Sequence, residues 1–147
     1  MNSTSNPHNT NPINDSLNNS NVNSHSTTTT STWKLITHNI QGFNDKTKQL
    51  IWNDYCIKNN IDIAIITETQ INSQTSTKYW KFKKYDSWWN NSTKGAGILL
   101  LIKKEIAHHI FKIQTFPGRG ICADLNFKGK TTIRIIGIYY PSSQKPE

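Results

Sequence analysis

Residues Trp33 to Glu68 read WKLITHNIQGFNDKTKQLIWNDYCIKNNIDIAIITE, and this stretch decides the fold. Trp33-Lys34-Leu35-Ile36-Thr37 alternates partly and is rich in β-formers, and His38-Asn39-Ile40-Gln41-Gly42 interrupts it, so a strand running into a turn is expected. From Asp45 to Lys58 the spacing becomes helical, with Leu50, Ile51, Tyr55 and Ile57 on roughly one side. Asn44 and Asp45 supply the start signal and Asn59-Asn60 the stop. Ile61-Asp62-Ile63-Ala64-Ile65-Ile66 is nearly continuous apolar sequence, which suits a strand buried on both faces. Strand, helix and strand of these lengths make a βαβ unit, whose crossover is almost always right-handed.

Downstream the pattern is β-rich. Asp86 to Asn90, Gly97 to Lys103, His109 to Thr115, Ile121 to Phe127 and Thr131 to Tyr139 read as strands, with Lys128-Gly129-Lys130 as a hairpin turn. The expectation is an α/β fold with one mixed sheet and one crossover helix. Upstream the character is different: residues 1 to 32 hold 9 Asn, 7 Ser and 7 Thr, a composition that builds no core. Residues 1–32 are therefore expected to be a disordered Asn/Ser/Thr-rich arm, and residues 33–147 the folded part.

All 17 Lys and Arg lie in that folded part, against 8 acidic side chains, and the 147-residue chain carries a formal net charge of +8. A surplus of this kind favours nucleic acid or another polyanion as partner. Cys56 and Cys122 are far apart, with no CxxC or His-rich pattern, which points to two buried thiols rather than a disulfide scaffold or a zinc site. No apolar run approaches the roughly 18 residues of a membrane span. The polar N-terminus has no secretory signal character, so an intracellular protein with no membrane partner is expected, a nuclear one included.

In open α/β sheets, ligands bind outside the carboxyl ends of the strands. Asn39 and Glu68 occupy those positions, and the crossover brings them to one edge. An amide and a carboxylate there could hold a divalent cation, though a turn residue and a solvated strand end explain the same pattern. A second surface is Lys78-Tyr79-Trp80-Lys81-Phe82-Lys83-Lys84-Tyr85-Asp86-Ser87-Trp88-Trp89. Lysines such as Lys81, Lys83 and Lys84 interleaved with aromatics suit a nucleic acid, cations on phosphates and rings on bases. Long lysine stems shielding an aromatic cluster account for it equally well, with Trp88 and Trp89 in the core.

Four blocks taken in order carry a resemblance. Trp33 to Gly42, Ile63-Ala64-Ile65-Ile66-Thr67-Glu68-Thr69-Gln70, Gly95-Ala96-Gly97-Ile98-Leu99-Leu100-Leu101 and Ile135-Ile136-Gly137-Ile138-Tyr139-Tyr140-Pro141 resemble motifs of the endonuclease/exonuclease/phosphatase superfamily. The nearest flavour is the apurinic-endonuclease-like branch carried by retrotransposons. The resemblance implies the N-terminal half of a four-layer α/β sandwich with the second sheet missing. It implies that Asn39 orients the phosphate or the attacking water, that Glu68 binds a magnesium ion, and that Tyr139 donates a hydrogen bond to the scissile phosphate. Arg119, in Phe116-Pro117-Gly118-Arg119-Gly120, resembles a family Gly-Arg and is either a structural residue opening a core strand or a phosphate contact. Tyr140 points away from Tyr139 by strand alternation, so only one of them reaches the site.

The departures are as informative. The family chemistry needs a later Asp-x-Asn and a final Asp-His pair, yet no Asp follows Asp124 and no His follows His109. His108 and His109 sit between the Gly-rich strand and the Gly-Arg block, and an adjacent pair on a strand would point to opposite faces. The implied activity is a magnesium-dependent phosphodiesterase acting on DNA in its complete form, with weak magnesium affinity and no turnover in this chain alone. Self-association, or a partner supplying the second sheet, follows from the missing layer. Two other readings stand beside it: a non-catalytic basic nucleic-acid-binding fragment, and a decayed gene product.

Overall fold

The computed structural model describes residues 32–71, 81–91 and 96–140. Residues 1–31 of the arm, residues 78–80 of the lysine-aromatic segment, Gly95 and Pro141 lie outside the described residues. The deciding stretch forms β1 (Leu35–Asn39), α1 (Lys46–Lys58) and β2 (Ile63–Thr67), and the two strands are parallel neighbours from Leu35↔Ile63 to Asn39↔Thr67. α1 starts where the Thr47 amide donates to the Asp45 side chain at 2.7 Å. It stops at Asn59, whose side-chain amide donates to the Tyr55 carbonyl at 2.9 Å. Both caps satisfy backbone groups that a helix end leaves orphaned. β3 (Tyr85–Asn90) and β4 (Ile98–Lys103) complete a four-stranded sheet in the order β1-β2-β4-β3, with β4 antiparallel to both of its neighbours.

The buried face of α1 differs from the expected one. Cys56 is fully buried, and Trp52 and Ile57 pack partly against the sheet, while Leu50 and Ile51 are 60% and 66% exposed and Tyr55 is 46% exposed. Positions 49, 52, 53 and 56 share a helical stripe, and Gln49 and Asn53 are polar members of it. The Gln49 side chain donates to the Phe43 carbonyl at 2.8 Å, so the loop before the helix fixes which stripe faces inward.

The α/β class of the sequence reading holds, but the single sheet does not. A second sheet is present: β5 (Ile110–Phe116), β6 (Gly120–Phe127) and β7 (Thr131–Ile138) form a separate antiparallel sheet in chain order. Between β4 and β5 the short α2 (Lys104–Ala107) buries Ile106 and Ala107 and turns the chain out of the first sheet. A period-two apolar pattern says that a residue faces a core, not which sheet its strand joins. His108 and His109 lie in the turn after α2, not on a strand, and their ring centroids are 3.9 Å apart.

The two sheets pack face to face. Ile63, Ile65, Ile98, Leu100 and Ile102 meet Ile121, Ala123, Leu125 and Ile135. Ala64, Ile66, Leu99 and Leu101 point the other way, onto Phe43, Cys56, Phe82 and Tyr85. The described residues thus make three layers, helix on sheet on sheet. Gly137 sets the spacing between the sheets, since a Cβ there would lie 2.7 Å from Ile65 Cγ2. Cys56 and Cys122 are both free and buried. Among the described residues no helix is long and apolar enough to cross a membrane.

Candidate active site

Because β1 and β2 are parallel and in register, Asn39 and Glu68 emerge at the same edge of the first sheet, Glu68 immediately after the partner of Asn39. The ladder continues past the strand ends: the amides of Ile40, Gly42 and Phe43 donate to the carbonyls of Thr67, Glu68 and Thr69 at 3.0, 2.8 and 2.8 Å. Gln41 and Glu68 both sit in left-handed backbone, at φ 49° and 53°. Non-glycine residues adopt that region at a cost and gather at functional sites. Gly97, at φ +110°, lies against the segment that follows Glu68, since any Cβ there would run into Thr69 Oγ1.

The first turns of α1 hold this loop. Lys48 Nζ donates to the carbonyls of Ile40 and Gly42 at 3.1 and 3.0 Å, and Gln49 takes the carbonyl of Phe43. The Asn39 side-chain oxygen accepts the Gln41 amide at 3.2 Å, which turns the chain and fixes the amide group at the strand end.

The second sheet brings the third residue. β7 ends at the same edge, and the Tyr139 hydroxyl donates to Glu68 Oε1 at 2.9 Å, across 71 positions of sequence. That bond, burial and the carboxylate charge raise the Tyr139 pKa above the ordinary phenol value, and the Arg119 charge opposes them. Tyr140 is exposed and makes no such contact. Arg119 lies in the β5–β6 turn, where its carbonyl accepts the Tyr139 amide at 2.8 Å while its side chain is exposed.

Other candidates lie elsewhere. β3 runs in the direction of β2, so Lys81, Lys83 and Lys84, exposed at its start, stand at the opposite edge of the sheet from Glu68. Trp88 and Trp89 pack on the inter-sheet and helix-side cores respectively. The His109 ring nitrogen Nδ1 is 3.0 Å from the Asn126 carbonyl, also away from the site edge. Among the described residues no group of three or more His, Cys, Asp or Glu could share a metal ion. The donor set at the site is one carboxylate and one amide oxygen.

The fold has counterparts among solved structures. The chain is similar to the AP endonuclease LMAP of Leishmania major, with a TM-score of 0.59 at 15% identity over 73% of this chain and 40% of that one. It is similar to the APE2 catalytic domain of Xenopus laevis, with a TM-score of 0.57 at 14% identity over 75% and 46%. It is also similar to the 3′ phosphatase NExo from Neisseria bound to product DNA hairpin, with a TM-score of 0.51 at 15% identity over 74% and 41%. All three are endonuclease/exonuclease/phosphatase proteins. At these identities the likeness is one of fold: the chain folds like part of these structures. It spans less than half the length of each of these structures. No family profile matches the sequence, and no curated protein does.

Two residues that build this edge, Lys48 and Asn90, were not among the candidates of the sequence reading. Asn90 read as a strand end, although its buried side chain grips the β5–β6 turn. A lone polar residue carries no signal of a partner 26 or more positions away.

Proposed function

We propose that the chain is half of a magnesium-dependent phosphodiesterase domain that, when complete, hydrolyses DNA phosphodiester bonds, and that this half alone does not turn over. The Tyr139–Glu68 hydrogen bond carries the reading, because it joins residues from the two sheets at the edge where the strands β1 and β2 end. A neighbour of the same fold that is described with a product DNA hairpin supports DNA as the substrate class. The +8 charge agrees with a polyanionic partner.

The donor set fits magnesium, which takes one or two carboxylates and completes its octahedron with water and substrate phosphate. Glu68 would hold the ion, with Asn39 beside it. When bound, the ion supplies positive charge to the phosphate oxygens. Asn39 would orient the phosphate or the attacking water from a strand end whose following residues Ile40, Gly42 and Phe43 stay bonded to Thr67, Glu68 and Thr69, and Tyr139 would donate toward the scissile phosphate. With one carboxylate and no partner acid, affinity for the free ion is weak. The groups that would position the water and protonate the leaving oxygen are absent from the sequence after Asp124, and such groups act as a unit with the rest.

Two measurements test this. Supercoiled and abasic DNA incubated with the full chain and magnesium should stay intact; nicking would overturn the inactivity. Manganese, standing in for magnesium, should broaden the amide signals of Asn39, Glu68 and Tyr139, and Glu68→Gln should remove that effect. Broadening confined to other parts of the chain would refute the site. The exposed Lys81, Lys83 and Lys84 favour a second reading, a binding fragment without chemistry. In that case salt-dependent DNA binding persists in Glu68→Gln and falls when these lysines are replaced.

A further inference from the structure

We infer that Asn90 is a positioning residue of this site: its buried side chain sets the β5–β6 turn, and through that turn the placement of Tyr139 over Glu68. The inference rests on the site reading above and adds to it a residue outside the four blocks.

Asn90 ends β3 in the first sheet and is 6% exposed. Its amide nitrogen donates to the carbonyls of Phe116 and Gly120, each at 2.7 Å, and its amide oxygen accepts the Gly118 amide at 3.3 Å. All three partners are backbone atoms of one turn in the second sheet, and two carbonyls against one N–H fix which way the amide faces. The same turn is closed on itself by the Arg119 amide donating to Phe116 at 2.9 Å.

What the turn holds is the site. The Arg119 carbonyl accepts the Tyr139 amide at 2.8 Å, one step past the Gly120↔Ile138 pair, and the Tyr139 hydroxyl reaches Glu68. Asn90 therefore ties the first sheet to the turn, the turn ties down the backbone of Tyr139, and the ring returns to the first sheet at Glu68. An apolar residue could fill the same volume at a buried strand end. It would leave the Gly118 amide and part of the bonding of two carbonyls unmet, and buried backbone groups without partners are costly. The turn would then move to find other partners, and Tyr139 with it.

The experiment uses the full chain with its 5 tyrosines labelled as 3-fluorotyrosine, the ¹⁹F lines being assigned by single Tyr→Phe changes. Glu68→Gln should displace the Tyr139 line. If it does not, the Tyr139–Glu68 pairing and the site reading fail, whatever Asn90 does. Asn90→Ala should displace the Tyr139 line while the Tyr85 line stays in place. Tyr85 is a control for the fold, buried on the helix side with its hydroxyl donating to the Ile61 carbonyl at 2.7 Å. Asn90→Ser, which restores one donor, should return the Tyr139 line part of the way. An unmoved Tyr139 line in Asn90→Ala overturns the inference. So does joint displacement of the Tyr85 and Tyr139 lines in both Asn90 variants, since that marks a residue needed for the fold at large.

Discussion

Replacing Gly137 by alanine tests how closely the two sheets approach. The added methyl would lie 2.7 Å from Ile65 Cγ2, 3.2 Å from Ile121 Cγ2 and 3.5 Å from Ile65 Cδ1. Carbon atoms pack best at about 3.5–4.0 Å, so the nearest contact is deep inside the repulsive wall. Ile65 and Ile121 are both buried in the inter-sheet core and have little room to give. Overpacking of this kind costs about 1–3 kcal/mol. Opposing it, losing a glycine reduces the entropy of the unfolded chain, which favours the variant by about 0.4–1 kcal/mol. The steric effect wins, and Gly137→Ala should lose about 1–2 kcal/mol, read as a lower urea midpoint with an unchanged slope. Ile65→Ala removes the struck atoms at its own cost of about 2–5 kcal/mol, so the double variant should be less destabilised than the sum of the two. A Gly137→Ala chain as stable as the parent, or more so, would show that β7 does not press on β2, and the route by which Tyr139 reaches Glu68 would fall with it.

Three further outcomes are expected. Burial pushes the Cys56 thiol from 9.0 up to about 11 and the Tyr85 phenol from 10.0 up to about 12. The unfolded chain therefore loses these protons first, and stability should fall as pH rises from 9 towards 11, a decline that is shallower in Cys56→Ala; an equal decline in the parent and in Cys56→Ala would show that the thiol is solvated in the folded chain. Asp124 is buried at the surface of the second sheet and bound by Arg134 through two bonds of 2.6 and 2.9 Å, which hold its carboxyl below the ordinary 3.8. Stability from this pair is present above that value and lost as pH falls through the lower folded one, so the gap between the parent and Arg134→Ala should close in acid; a gap that is constant with pH refutes the pairing. Lys48→Met keeps the stem but removes two bonds to loop carbonyls, and should cost about 1–2 kcal/mol with faster amide exchange at Gly42 and Phe43; unchanged exchange there would mean that the loop is held by other contacts.

How much of this could be read from residues alone depends on the range of the interaction. The strands and α1 were legible because apolar alternation and cap residues are local: Asp45 and Asn59 bond partners two and four positions away. The face of α1 was not, because a stripe that includes Gln49 and Asn53 looks polar until the loop carbonyl that engages Gln49 is placed. The division into two sheets was hidden in a four-residue helix whose sequence, Lys104 to Ala107, reads as a strand continuing or a loop. Asn39 and Glu68 could be put at one edge from topology, since parallel strands in a βαβ unit must end together. That Tyr139 meets Glu68 depends on a contact between sheets over 71 positions. Residue order alone contains nothing of that length except by resemblance.

The second sheet changes which deficit governs the chain. With a single sheet, Ile63 and Ile65 would face water; here they are 1% and 6% exposed, covered by β6 and β7. What stays open is smaller. Leu35 shares the face of Ile63, and Phe116, Ile136 and Ile138 sit on the outer side of the second sheet, all more than half exposed. A fully buried aliphatic or aromatic side chain contributes about 1.5–3 kcal/mol, so four partly buried ones forgo a few kcal/mol of the roughly 5–15 kcal/mol typical of a domain. On that estimate folding is weakened, not prevented, and the inactivity proposed above would rest instead on the lack of an Asp after Asp124 and a His after His109 in this chain. The chain should therefore unfold in one cooperative urea transition with a slope of about 1–3 kcal/mol per molar, and still leave abasic DNA intact. A broad, non-cooperative transition would return the explanation of inactivity to the fold. A sharp transition with no nicking is the outcome expected if the proposed site is incomplete in a chain that folds.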